Sequence, residues 1–136
     1  MNVMLDEGAK LPLRAHDADA GYDLFSRESA YIPAGGSHKF DTGVHMQIPE
    51  GFAGLLVSKS GLNVNYGLKS EGLIDSGYTG SIVVKLYNHG EEGVYIKNGQ
   101  KISQIIIIPI KTEELAIVDK FSDTERGSNG FGSSGL

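Results

Sequence analysis

Ile105-Ile106-Ile107-Ile108-Pro109-Ile110 is the stretch on which the fold turns. A strand with one wet face alternates apolar and polar residues. This run does not alternate, so both of its faces must be covered. A small β-sandwich offers each strand only one inner face. The simplest resolution is that the second face packs on another subunit; the alternative is a loop or crossing strand laid over it within the chain. Pro109 removes a ladder donor and so suits an edge or the end of pairing.

Outward from this run, 19 glycines are spread along the chain. Between them lie short β-type runs: Phe40 to Ile48, Phe52 to Val57, Ser81 to Tyr87, Val94 to Ile96, Lys101 to Ile110 and Leu115 to Val118. Many short strands punctuated by Gly and Pro predict an all-β sandwich or barrel. No long stretch carries a 3.6-residue period. The best helix candidate is one or two turns near Ser58 to Val64, with Ser58 or Ser60 as N-cap. There is no internal repeat, and 136 residues fit one domain.

Composition narrows the function classes. Hydrophobic residues make up 40% and charged residues 21%, which suits a packed core and not a disordered chain. No apolar run approaches membrane-spanning length. The first ten residues lack a basic stretch before an apolar one, so they do not read as a secretory signal. With no Cys, disulfides and Cys-ligated zinc are excluded, and a cytoplasmic location is expected. A net charge of -5 argues against direct nucleic-acid binding, because counterion release favours basic proteins. A small polyanion such as a nucleotide remains open if positive groups are local and a metal shares the charge.

The C-terminal segment from Arg126 to Leu136 holds four glycines and three serines around Phe131. Such a segment has little structure in isolation, and a floppy end is its plainest reading. Arg at its root and a lone Phe suit a different role. Gly lets N–H groups close on phosphates, Arg pairs with them and Phe stacks on a base. Residues 126–136 are therefore expected to form a flexible arm beyond a β domain of residues 1–125.

Several patterns do not hold. The glycine-rich tail is no P-loop, since no Lys follows and no strand-to-helix unit surrounds it. Asp17, Asp19, Asp23 and Glu28 approach a calcium-loop spacing, but Tyr22 stands where the obligatory Gly belongs. His16, His38, His45 and His89 show no ligand spacing and read as surface or turn histidines. There is no nucleophile elbow.

Five short segments remain: Ala20-Gly21-Tyr22-Asp23-Leu24; Ser58-Lys59-Ser60-Gly61-Leu62; Gly72-Leu73-Ile74-Asp75-Ser76-Gly77-Tyr78-Thr79-Gly80; Gly99-Gln100-Lys101-Ile102-Ser103-Gln104; and the tail from Arg126. In this order they resemble the five motifs of the trimeric dUTPases. The third and fifth are quite specific and the second and fourth weak. Together they span nearly the whole chain.

The resemblance implies a jelly-roll-like fold of the β-clip kind, with one short helix, and a homotrimer with shared active sites. The first, second and fourth motifs would come from one subunit, the third from a neighbour and the tail from the remaining one. The implied activity is Mg2+-dependent hydrolysis of dUTP to dUMP and pyrophosphate, limiting uracil in DNA and supplying dUMP for thymidylate synthesis. In that family's terms Asp75 resembles the general base that activates a water, and Gln104 the residue that holds the water. From the residues alone, Asp75 could make an Asx-turn and Gln104 could be a polar residue on a wet strand face.

Tyr78 resembles the Tyr that packs on deoxyribose, though alone it could be a core aromatic. A 2′-hydroxyl buried there without a partner costs about 1–3 kcal/mol, roughly ten- to a hundred-fold discrimination. The uracil is expected in a hairpin near Leu68 to Gly72, with Ile74 also contacting substrate. Lys59, Ser60 and Gly61 are expected near the phosphates at the start of the helix. Lys stands at position 59 where Arg is commonest, and as a point charge it loses bidentate geometry. Arg126 should meet the γ-phosphate, Phe131 should cover the uracil, and Gly132 and Ser133 should complete the phosphate cradle. Asp23 resembles the Asp that acts on magnesium through water. Two alternatives are a dCTP deaminase relative and a dUTPase-like regulatory protein that uses nucleotide to control a partner.

Overall fold

The computed structural model describes residues 1–135; Leu136, the last residue of the expected arm, lies outside them. Eleven strands and one helix follow in chain order: β1 (Val3–Leu5), β2 (Tyr22–Phe25), β3 (Ala30–Ile32), β4 (Ser37–Asp41), β5 (Val44–Met46), β6 (Phe52–Val57), α1 (Ser60–Tyr66), β7 (Leu68–Lys69), β8 (Glu71–Ile74), β9 (Val83–Asn88), β10 (Val94–Ile96) and β11 (Lys101–Pro109). The all-β expectation with one short helix is borne out. β2-β11-β6-β8 form one sheet and β4-β9-β7 another, with the two-stranded ribbons β1-β5 and β10-β3 alongside. All named pairs are antiparallel. Leu24, Ile32, Phe40, Leu56, Val84 and Ile105 are almost fully buried in the core between them. Among the described residues no helix is long and apolar enough to cross a membrane.

The isoleucine run occupies the middle of the four-stranded sheet, as β11 between β2 and β6. Ile105 is fully buried, and Ile107 packs partly on the same core. Ile106 and Ile108 point to the opposite face and are only half-buried. Ile106 pairs with Leu55, which pairs with Leu73 on β8. Cross-strand partners share a face, so these residues make an apolar band on the outside of the sheet. Leu73 remains 62% exposed. Pro109 is the last paired residue of β11, opposite Phe52.

Four sequence expectations need correction. The run Phe40 to Ile48 is two strands, broken where Gly43 takes φ +65. No side chain favours that backbone conformation, and a Cβ on Gly43 would strike the Arg27 guanidinium. The helix begins at Ser60 with Lys59 as its N-cap, and no side chain caps it. Ser58 is diverted: its hydroxyl donates to the Ser70 carbonyl (3.1 Å) and accepts the Ser70 N–H (3.0 Å). Leu115 to Val118 forms no strand. A strand needs a ladder, and this segment has left the sheet, with Leu115, Ile117 and Phe121 nearly fully exposed. Finally, Leu68 to Gly72 is a corner between sheets and not a hairpin, because β7 pairs with β9 whereas β8 pairs with β6.

Candidate active site

A β-bulge builds the first half of the site. Residues 101 and 104 lie an odd number of positions apart, so an unbroken strand would send them to opposite faces. The register of β11 against β2 shifts between Lys101 and Ser103, leaving Ile102 as the extra residue. Ile102 and Ser103 both turn inward and are fully buried. Lys101 and Gln104 then both face outward, beside Asp23 of β2.

Asp23 is almost completely buried, yet both its oxygens are held: Oδ2 by Lys101 Nζ at 2.7 Å and Oδ1 by Lys59 Nζ at 2.5 Å. Burial pushes its carboxyl up, but the hydrogen bonds and charges of the two lysines outweigh that and hold it below the ordinary carboxylate range. Gln104 donates to the Ser58 carbonyl at 3.2 Å. A Cβ on Gly21 would lie 2.9 Å from Gln104 Oε1, so this glycine makes room for the amide. Behind the cluster Ser70 and Ser103 share a buried hydroxyl contact (2.8 Å), and Ser103 donates to the Val57 carbonyl.

The second half lies elsewhere. On β8, Glu71 sits opposite Val57, near Lys59, whereas Ile74 sits opposite Gly54. Asp75 follows Ile74, about 13 Å from Glu71 along the strand direction. Its carboxylate is exposed at a concavity of about 230 Å³ lined by Leu73, Ile74, Tyr78, Ser81 and Val83. The Tyr78 N–H donates to the Asp75 carbonyl (3.1 Å), closing a main-chain turn, and no side-chain Asx-turn is formed. Tyr78 is 45% exposed and is no core aromatic. Its hydroxyl donates to the Ser81 carbonyl at 2.9 Å, and its ring leaves no room for a Cβ at Gly80. β8 is an edge strand, so its outward N–H and C=O groups have no partner strand beside this concavity.

The third part is the tail. Arg126 donates from Nε to the Asn129 carbonyl (2.9 Å), and Ser133 N–H reaches the Gly130 carbonyl. Gly127 N–H donates to the Thr124 hydroxyl just upstream (3.0 Å). Phe131 is fully exposed at φ +49, left-handed backbone that non-glycine residues seldom adopt.

Comparison with known proteins adds what geometry alone does not name. A family model described as dUTPase matches residues 7–135. The chain belongs to the dUTPase family. It is 42% identical over 135 residues to a protein of Clostridium tetani named deoxyuridine 5'-triphosphate nucleotidohydrolase, covering 97% of this chain and 93% of that one. A protein of the same name from Paramecium bursaria Chlorella virus 1 is 40% identical, with 97% and 94% covered. Among solved structures, the dUTPase of Staphylococcus bacteriophage 80alpha with dUPNHPP aligns at TM-score 0.94 and 34% identity, covering 99% of this chain and 98% of that one. A point mutant of the dUTPase from phage phi11 of S. aureus, described with a structural Mg(II) ion, aligns at TM-score 0.82 and 32% identity, covering 88% and 97%.

Within this dUTPase-family chain the singled-out residues fall into separate groups. Asp23, Lys59 and Gln104 meet, with Ser60 exposed just beyond at the start of α1. Ile74, Asp75 and Tyr78 meet at the other end of β8. Arg126, Phe131, Gly132 and Ser133 stay on the tail. Leu68 is fully buried, so only its main chain could meet a ligand. A Cβ on Gly72 would press on Leu56 at 3.0 Å, whereas one on Gly61 would meet open space. Sequence reading did not single out Leu73, Ser81 and Val83 as lining residues, although Leu73 lies inside the Gly72–Gly80 motif and Ser81 follows it directly. It placed the base at Leu68 to Gly72. There the Ser70 N–H and carbonyl are spent on Ser58.

Proposed function

We propose that this chain hydrolyses dUTP to dUMP and pyrophosphate by attack of a water on the α-phosphorus, in a homotrimer whose sites draw on three subunits. One observation carries the assembly: within one chain Asp75 lies a strand's length from the Gln104–Lys59 cluster, and no side-chain movement closes about 13 Å. A complete centre therefore takes Asp75 from a second copy. Two further observations support this. The outer band of Leu55, Leu73, Ile106 and Ile108 is the kind of patch an oligomer covers. The segment carrying Leu115, Ile117 and Phe121 has nothing to pack on in its own chain, which suits an arm of residues 126–136 delivered to another subunit. The relatives named as nucleotidohydrolases and the phage protein holding dUPNHPP support the substrate.

In this reading Asp75 takes the proton of the attacking water, and Gln104 holds that water toward the phosphorus. The base lies along the free edge of β8, where main-chain groups match the edge of uracil. Tyr78 packs on the deoxyribose with its hydroxyl already committed to Ser81, so a 2′-hydroxyl finds no partner there. Lys59 and Lys101 turn from Asp23 to the phosphates, Arg126 meets the γ-phosphate, and Phe131 covers the base with Gly132 and Ser133 beneath the phosphates.

A magnesium ion bound with the substrate would supply charge neutralisation for the reacting phosphorus and the leaving pyrophosphate. The residues present fit that role. Among the described residues no group of three His, Cys, Asp or Glu could cage an ion. Asp23 offers hard oxygens on the face that carries Gln104, and they become free for metal-bound waters when its lysines turn to phosphate.

Pyrophosphate release across dUTP, UTP, dCTP and dTTP with magnesium tests the reading. Fast turnover of dUTP, with UTP slower by about ten- to a hundred-fold, is expected. Ammonia release from dCTP, or equal rates on all four, would sink it. Sedimentation should give a trimer that Ile106→Asp breaks to monomers without activity, and a fully active monomer would refute the shared site.

A further inference from the structure

His45 joins the turn that bears Asp75 and Tyr78 to the amino-terminal ribbon. It stands on β5 opposite Met4 of β1, with its side chain only 18% exposed. Its Nδ1 lies 2.8 Å from the Thr79 carbonyl and its Nε2 lies 3.1 Å from Asp6 Oδ1. A carbonyl and a carboxylate are both acceptors. Each ring nitrogen must therefore donate, which only the imidazolium can do.

The other anchors of this turn do not titrate near neutrality. Ile82 is fixed by main chain, its N–H donating to Val44 (2.8 Å) and its carbonyl accepting from Thr42. Ser81 donates to Asp41, which Arg27 holds at 3.0 Å, and Ser81 also accepts the Gly43 N–H. Thr79 has His45, and Thr79 is the residue next to Tyr78.

We propose that His45 is a positioning residue for dUTP: as an imidazolium it clamps the Thr79 carbonyl to Asp6, and loss of its proton releases the side of the turn that carries Tyr78. The inference rests on the dUTP reading above. A neutral ring has one N–H left. Asp6, being charged, is the stronger acceptor and keeps it, so the Nδ1 lone pair then faces the Thr79 oxygen. The charges around the ring are Asp6 after β1, Asp41 at the end of β4, and Arg27, which reaches Asp6 at 3.7 Å and Asp41 at 3.0 Å. Ser76 to Ser81 adds only the Tyr78 phenol. The hydrogen bond to Thr79 raises the affinity of the ring for its proton; desolvation opposes this, and Asp6 and Asp41 support it. With the folded value raised, the clamp is complete below the ordinary histidine range and is lost as pH rises through the folded value.

The test measures KM and kcat for dUTP between about pH 6 and about pH 8.5 on the full chain, beside NMR titration of the ring nitrogens. In the wild type KM should rise about fivefold across the His45 titration midpoint while kcat changes less. His45→Gln, which cannot change charge, should lack this limb and keep the high-pH KM throughout. Ionisation of dUTP itself is common to both proteins and cancels in the comparison. Asp6→Asn serves as a second variant: it should move the ring midpoint and the KM limb together to lower pH. A KM limb that survives in His45→Gln, or that stays put when Asp6→Asn moves the ring, overturns the clamp even if Tm falls. Failure of the wild type to turn over dUTP would instead refute the functional reading, and the ring titration and the Thr79 amide shift would still report the clamp.

Discussion

The two ends of β8 differ in kind. At the Glu71 end, Asp23, Lys59, Lys101, Gln104, Ser58, Ser70 and Ser103 form a cluster whose polar groups find partners inside one chain. At the Ile74 end, Asp75 and Leu73 are exposed and Tyr78 lies open beside an unpaired strand edge. The first region has its polar groups paired before any ligand arrives. The second has its backbone pinned, but the Asp75 carboxylate has no hydrogen-bond partner among the described residues. The difference teaches how the proposed shared site would divide between subunits: one part finds its partners within its own chain, and the other leaves Asp75 facing out.

The sharpest way to break this contrast is Asp75→Asn. Turnover should fall by about a thousandfold with little change in binding of a dUTP analogue, measured by pyrophosphate release and calorimetry. Near-normal turnover would remove Asp75 from its role. Deleting residues 126–136 should lower kcat/KM by about a hundredfold and leave the sedimentation of the oligomer unchanged. Full activity would reduce the tail to decoration.

Mixing the two inactive proteins separates within-chain from between-chain assembly. If Asp75 and the tail reach a site from different subunits, random hybrid trimers regain about a quarter of their sites. If both come from one subunit, none return.

The buried cluster can be tested on stability. Asp23→Asn leaves Lys59 and Lys101 facing each other and should cost about 2–3 kcal/mol, less than a fully buried pair because the lysine ends stay wet. The Asp23 carboxyl lies below its usual value in the folded chain. Its contribution is therefore present above about pH 4 and is lost as pH falls further through the folded value, so the acid-side fall of Tm should be shallower in the variant. A slope identical to the wild type would show that the lysine pairs contribute nothing. The smallest signal comes from Phe131→Trp. The chain has no Trp of its own, so fluorescence should change as dUTP saturates, and an unchanged spectrum would count against tail closure.

Much of the fold was legible. Phe52–Val57 and Val94–Ile96 are strands with the boundaries their composition suggests, because each is a compact β-type run closed by turn residues. Tyr22–Phe25, Ala30–Ile32 and Glu71–Ile74 escaped notice, since three or four residues with mixed polarity show no period. Leu115 to Val118 has strand composition and no strand, because composition cannot supply a pairing partner. The members of the site and their division into three groups were legible through the resemblance to a family, but the contacts that hold each group were not.

The sequence by itself determined that this is a small β protein with an over-apolar central strand, a chemically equipped tail and the five motifs of the dUTPase family, because residue type and local order carry that information. Only the tertiary structure decided that a single extra residue, Ile102, turns Lys101 and Gln104 to one face, that Asp75 stands a strand's length away from them, and that His45 grips the turn behind Tyr78. Those are facts of register and of contacts between residues far apart in the chain, and no local pattern encodes them.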